Sequence, residues 1–197
     1  MKPIEGEFNP RPAAEAGEKL PAGVYLGKIM NAKEEVNGEN RRLALQLEVT
    51  EGEYEGFYSR QYAQNQNGKY PAKYKGVLRL SVPKRGDEYE NIQRNALESA
   101  IWAIEDSNPD YHWNWDEKTL KGLKIAFVVR EFDWCLDDGR TGTSTEIGKL
   151  ASWQDAKEGK VRLMKKRELK GEAKRKAEQA AQEISRMEEA LDEDIPF

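Results

Sequence analysis

Between Gly56 and Gly86 the chain carries cations and no acid: Arg60, Lys69, Lys73, Lys75, Arg79, Lys84 and Arg85. Phe57, Tyr58, Tyr62, Tyr70 and Tyr74 are interleaved with them. Backbone phosphates are met by cations spaced along a groove, and unpaired bases stack on flat aromatic faces. Every base has a face to stack, so the combination suits a single strand held with little regard to sequence. The Phe and Tyr content of residues 56–63 reads as a strand. Alternation would then put Tyr58, Arg60 and Tyr62 on one face, two rings with a cation between them. The competing reading packs the tyrosines beneath a helix and lets Arg60 snorkel. The acid-free window as a whole favours binding.

Other residues offer less chemistry. Asp133, Asp137 and Asp138 cluster near one strand and raise the idea of a Mg²⁺-dependent nuclease; a hairpin turn with solvated acids explains them better. Cys135 is the one cysteine and His112 the one histidine, so neither a disulfide framework nor a Cys/His zinc site can be built. There is no phosphate-cradling glycine loop, nucleophile elbow or histidine pair, and we expect neither enzyme activity nor a metal or cofactor. Trp134 and Trp153 end the last two strands, where they either cap the core or stack bases near Arg140. Trp113 and Trp115 sit beside His112 in the loop before the fourth strand. Lys149 is one further candidate for a phosphate contact.

The elements that must position these residues follow from periodicity and punctuation. Residues 22–36 read as a first strand, and "NGEN" as an Asn-Gly turn. In residues 41–49, Leu43, Leu45, Leu47 and Val49 point one way; Arg42, Ala44, Gln46 and Glu48 point the other. The stretch 56–63 is the expected third strand, and 76–82 is ambiguous between a short strand and a bridging segment. From Asp87, with Glu90 completing a capping box, a helix runs towards Pro109. Its apolar face is Tyr89, Ile92, Ala96, Leu97, Ala100, Ile101 and Ile104. Residues 123–134 make the clearest buried strand, turning at Asp138-Gly139 into a last strand over 143–153. Three strands, a helix and two strands is the order of a five-stranded OB-fold barrel, the expected fold, although an α+β sheet shares that order. Beyond it, Leu169, Ala173, Ala177, Ala180, Ile184, Met187 and Leu191 recur at spacings of three and four, so a charged helix follows, either solvated, lying on the barrel or in a coiled coil.

The chain closes on "DEDIPF", Asp192, Glu193, Asp194, Ile195, Pro196 and Phe197. This resembles the C-terminal tip of bacterial single-stranded-DNA-binding proteins. Glu193 is a like-charged replacement for an acid of that tip. The resemblance implies a docking peptide for replication, recombination and repair proteins, such as a phage annealase, a helicase or host repair enzymes, with the terminal Phe in an apolar pocket. The body, through "LPAGVYLGKIMNAKEE", "LEVTEGEYEGFYSRQY" and the following helix, resembles a phage-encoded group of single-stranded-DNA-binding proteins over roughly residues 20–155. No flexible Gly/Pro/Gln-rich linker joins barrel to tip, and the bacterial tetramer signature is not evident, so the oligomeric state stays open. The expected organisation is an arm over 1–19, the OB domain over 20–160, a helical linker over 161–187 and an acidic tail over 188–197.

Charge and composition fit that division. A net charge of −4 would by itself speak against a nucleic-acid binder, but it averages a basic window with acidic ends. The tail is expected to repel DNA and to rest in the empty groove until a strand displaces it. With 38% apolar residues the core must be modest. The start has no signal-peptide core and no run of 18 apolar residues occurs, so a soluble protein of a reducing cytoplasm, in a bacterial host by resemblance, is expected. The alternative function is an annealing accessory or scaffold acting through the charged helix.

Overall fold

The computed structural model describes residues 18–67 and 72–193. Along the chain run β1 (Gly23–Asn37), β2 (Asn40–Val49), α1 (Phe57–Gln64), β3 (Val77–Ser81), α2 (Glu90–Ser107), β4 (Lys124–Cys135), β5 (Thr141–Ala151), α3 (Trp153–Lys157) and α4 (Gly171–Glu193). The strands form one antiparallel sheet in the order β3-β2-β1-β4-β5. β3 and β5 are its edges; among the described residues no ladder joins them, although they touch and α2 packs against both.

The register of β1 slips between Ile29 and Asn31, a bulge that bends the strand so that its two ends serve different neighbours. Residues 23–28 pair with β4 and residues 27–37 with β2. Gly27 sits where the two ladders overlap. A Cβ there would lie 2.3 Å from the Glu48 carbonyl and 2.6 Å from the Phe127 ring, so only glycine admits that approach. On the inner face Ile29, Leu45, Leu47, Ile125 and Phe127 have no exposed surface, and Leu97, Ala100, Ala103 and Ile104 of α2 close over the core. Each such Leu, Ile or Phe contributes about 1.5–3 kcal/mol by leaving water.

The structure corrects the sequence reading at several points. Residues 57–64 are a helix, and the ambiguous segment over 76–82 supplies the third strand. On the face of β2 opposite the leucines, Ala44 and Glu48 are buried as well. The capping box of α2 is shifted: the Asp87 carboxylate accepts from Tyr89 N at 2.8 Å, while Glu90 accepts from Gly86 N at 2.7 Å rather than from Asp87. Tyr89, Ile92 and Ala96 of its expected apolar face are exposed, and Ala103 is buried instead. β5 ends at Ala151, and Trp153 opens α3.

β4 and β5 run on as a hairpin past the end of β1, and there Arg167 joins β4. Its N–H donates to Glu131 O and its carbonyl accepts from Asp133 N, each at 2.9 Å. α4 lies against this hairpin, with Lys176 3.3 Å from Asp137 and Ala180 beside Gly139. Among the described residues no helix is long and apolar enough to cross a membrane.

Candidate nucleic-acid interface

α1 is helical because its orphan N–H groups find a distant acceptor. The buried Glu48 carboxylate accepts from Val49 N and Tyr58 N at 3.0 Å, from Ser59 N at 2.6 Å and from the Tyr74 hydroxyl at 3.1 Å. An anion at a helix N-terminus is also favoured by the helix dipole. Gly56, at φ +70°, turns the chain into the helix while donating its N–H to Val49 O.

In a helix, residues four apart are neighbours, so Tyr58 and Tyr62 still share a side, but Arg60 does not lie between them. The Tyr74 ring meets both, at centroid distances of 6.1 Å from Tyr58 and 5.9 Å from Tyr62. Tyr58 is only 6% exposed and touches Phe57 and Phe127, so it supports the cluster and cannot stack a base in this conformation. Tyr62, 42% exposed, is its outer ring. The expected Tyr58-Arg60-Tyr62 platform is therefore replaced by Tyr62 and Tyr74 on a buried Tyr58. Burial, followed by the charge and hydrogen bond of Glu48, raises the Tyr74 hydroxyl above its ordinary pKa. Burial likewise raises Tyr58, and Tyr25 is pushed up to about 12 by burial, then by Tyr54 and Glu53.

Beside this aromatic end lies the outer face of β1, β2 and β3. The ladders align Lys33, Ala44 and Arg79 in one row and Glu35, Arg42 and Ser81 in the next. The small Ala44 thus lies between two cations, with a third, Arg42, two residues along its own strand. Glu35 accepts from Arg79 at 2.8 and 3.2 Å. That hydrogen bond, with the charges of Arg79, Lys33 and Arg42, holds the Glu35 carboxyl below its ordinary pKa. From Glu48 under Tyr74 to Arg42 the track is about 20 Å long at the rise of a strand. Lys33 and Arg42 belong to strands outside the basic window. Their signal was the alternation of β1 and β2, which sets them outward; only the register brings them beside Arg79.

The other predicted site residues are more dispersed. Lys73, Lys75 and Arg85 are exposed and have no carboxylate partner among the described residues; Arg60 is exposed and donates to Glu55 O. Lys84 is paired with Glu39. Lys69, Tyr70, Asp194, Ile195, Pro196 and Phe197 lie outside the described residues, and Asp192 and Glu193 fall at the end of α4. Trp153 lies under Lys124 and Lys157, 5.9 and 5.4 Å from its centroid, and Trp134 packs over Gly142. The three hairpin acids each have a cation, Asp133 with Lys166 at 2.7 Å, Asp137 with Lys176, and Asp138 with Arg140 at 2.8 Å. Among the described residues no group of acids, His or Cys converges as a metal site would need.

The chain matches no protein-family model, and no curated protein matches it.

Proposed function

We propose that the protein binds single-stranded DNA without strong sequence preference, along the outer face of β1, β2 and β3, and that the sheet is an OB-type barrel. In such a barrel the seam would fall between β3 and β5, which approach each other beside α2 without a ladder. The observation that carries the reading is the continuity of a ring surface, Tyr62 with Tyr74, with the cationic rows of Lys33, Arg42 and Arg79. Cations along a track with aromatics at one end suit a flexible backbone and its unstacked bases. Cations and rings are what this face offers in common, so charge and stacking are expected to dominate over reading of base edges. The resemblance of the body and of the Asp192–Phe197 tip to single-stranded-DNA-binding proteins supports a role in phage DNA replication and recombination, in the bacterial cytoplasm. The tip recruits partner proteins to coated strands.

Titration of oligo(dT), followed by tryptophan fluorescence, tests the reading. Tyr62→Ala should lose about 1–3 kcal/mol of binding, the worth of one stacked base. Tyr62→Phe should bind as the wild type does, and duplex DNA of equal length should bind much more weakly. A Tyr62→Ala protein that binds as tightly as the wild type removes the aromatic half of the proposal.

A further inference from the structure

Away from the proposed DNA face, Trp102 of α2 and Trp115 before β4 are 56% and 72% exposed and line a cleft of about 270 Å³ with Leu97, Ile101 and Trp113. The Trp113 indole N–H is buried there without an acceptor, which is uncommon in a native fold. Trp115 holds φ +67°, a left-handed conformation that bulky residues seldom adopt. The rim is acidic. Arg94 is already paired with Glu90 at 2.7 Å, whereas Glu98 has no cation among the described residues. The Glu105 carboxylate accepts the Trp113 backbone N–H at 2.8 Å and has no cation among the described residues. An apolar cleft with free carboxylates and a spare N–H fits an apolar side chain carried on a basic segment, with a backbone carbonyl to offer.

The chain itself contains such a segment. Between α3 and α4, Leu163 is 64% exposed. Arg162 and Lys165 beside it are exposed and have no carboxylate partner among the described residues, while Lys160, Lys166 and Arg167 are paired with Glu158, Asp133 and Glu146. The strap is held in place, because Met164 packs over Gly148 and Arg167 is bonded to β4. Trp102 and Arg162 line one groove, so cleft and strap border the same surface.

We infer that this surface is where a second copy of the chain docks. Leu163 of each protomer enters the Trp102–Trp115 cleft of the other, and Arg162 and Lys165 meet Glu98 and Glu105. A twofold axis along the shared groove makes both contacts at once and closes the assembly as a dimer. The inference does not depend on the DNA-binding reading.

Sedimentation velocity of the full chain over a wide concentration range tests it. The wild type should be a dimer, and Leu163→Glu or Glu98→Lys should each weaken association about tenfold or more, as loss of an interface hot spot does. Combining Glu98→Lys with Arg162→Glu should restore much of it. These side chains are exposed, and an unchanged circular dichroism spectrum verifies the fold of each variant. A monomeric wild type overturns the inference. So does a dimer indifferent to Leu163→Glu, which would assign association to another surface such as α4. A monomer whose tryptophan fluorescence shifts when residues 1–17 are removed would give the cleft to the chain's own arm, and also overturns it.

Discussion

Replacing Lys33, Arg42 and Arg79 together by alanine is the most direct test of the proposed strand-binding face. If each neutralises one phosphate, the slope of log affinity against log salt should become shallower by about 2, since a single strand contributes about 0.7 per phosphate. Between 50 and 200 mM salt the wild type should then lose about twentyfold more affinity than the triple variant loses. Glu35 gives a control of opposite sign. It sits among the same three cations and accepts from Arg79 at 2.8 Å, so Glu35→Gln should release Arg79 and tighten binding at low salt. Oligo(dT) titrations at four salt concentrations give both slopes, and Lys118→Ala with Lys121→Ala, in the exposed turn before β4, reports any general effect of lost charge. A triple variant with the wild-type slope would show that the strand does not pass over Ala44, whatever its affinity.

Two further outcomes follow from the Glu48 and tyrosine cluster. Glu48→Ala leaves three backbone N–H groups without their side-chain acceptor, while the Tyr74 hydroxyl keeps Leu47 O at 2.8 Å. Hydrogen bonds to a charged group are worth about 1.5–3 kcal/mol each and are not additive, so a loss of about 3–5 kcal/mol is expected. In urea the midpoint should fall by about 2 M, and a loss below about 1 kcal/mol would contradict the capping role. At alkaline pH, Tyr25, Tyr58 and Tyr74 have folded pKa values raised above their ordinary 10.0, so the folded state holds these protons more tightly than the unfolded one. Stability present below pH 10 should therefore drain away as pH rises towards and past 12, with tyrosinate absorbance appearing together with unfolding. Tyr74→Phe should flatten that dependence, and an unchanged profile would exclude Tyr74 from it.

What could be read from the sequence was what depends on local period and punctuation. The alternation of Leu43, Leu45 and Leu47, the Asn37-Gly38 turn and the Asp138-Gly139 turn locate β1, β2, β4 and β5 without tertiary information. α1 was misread because Phe57, Tyr58 and Tyr62 suit a strand, whereas the groups deciding its conformation are the oxygens of Glu48, ten residues before Tyr58. A buried carboxylate serving a helix end leaves no periodic trace, since Glu48 occupies a position that alternation assigns to solvent. The apolar face of α2 was misplaced for a related reason. The sheet it covers ends before Tyr89 and Ile92, so apolar residues continue past the surface that could bury them.

The basic window shows most clearly how far a linear charge pattern reaches. No acid occurs between residues 56 and 86, yet the sheet brings Glu35 to Arg79 across 44 residues, and Glu39 to Lys84 from the β1–β2 turn. Among the described residues, Arg79 and Lys84 of that window are thus already paired with carboxylates, while Lys33 and Arg42, outside the window, join the same face through the register. A strand bound there must compete with Glu35 for Arg79, and the pair is about half exposed, so it costs little to open. The electrostatic attraction is correspondingly moderate, set by a few free cations around one acid instead of seven in line. On the proposed reading, such a surface would hold a strand through several weak contacts along its length and release it on a modest rise in salt.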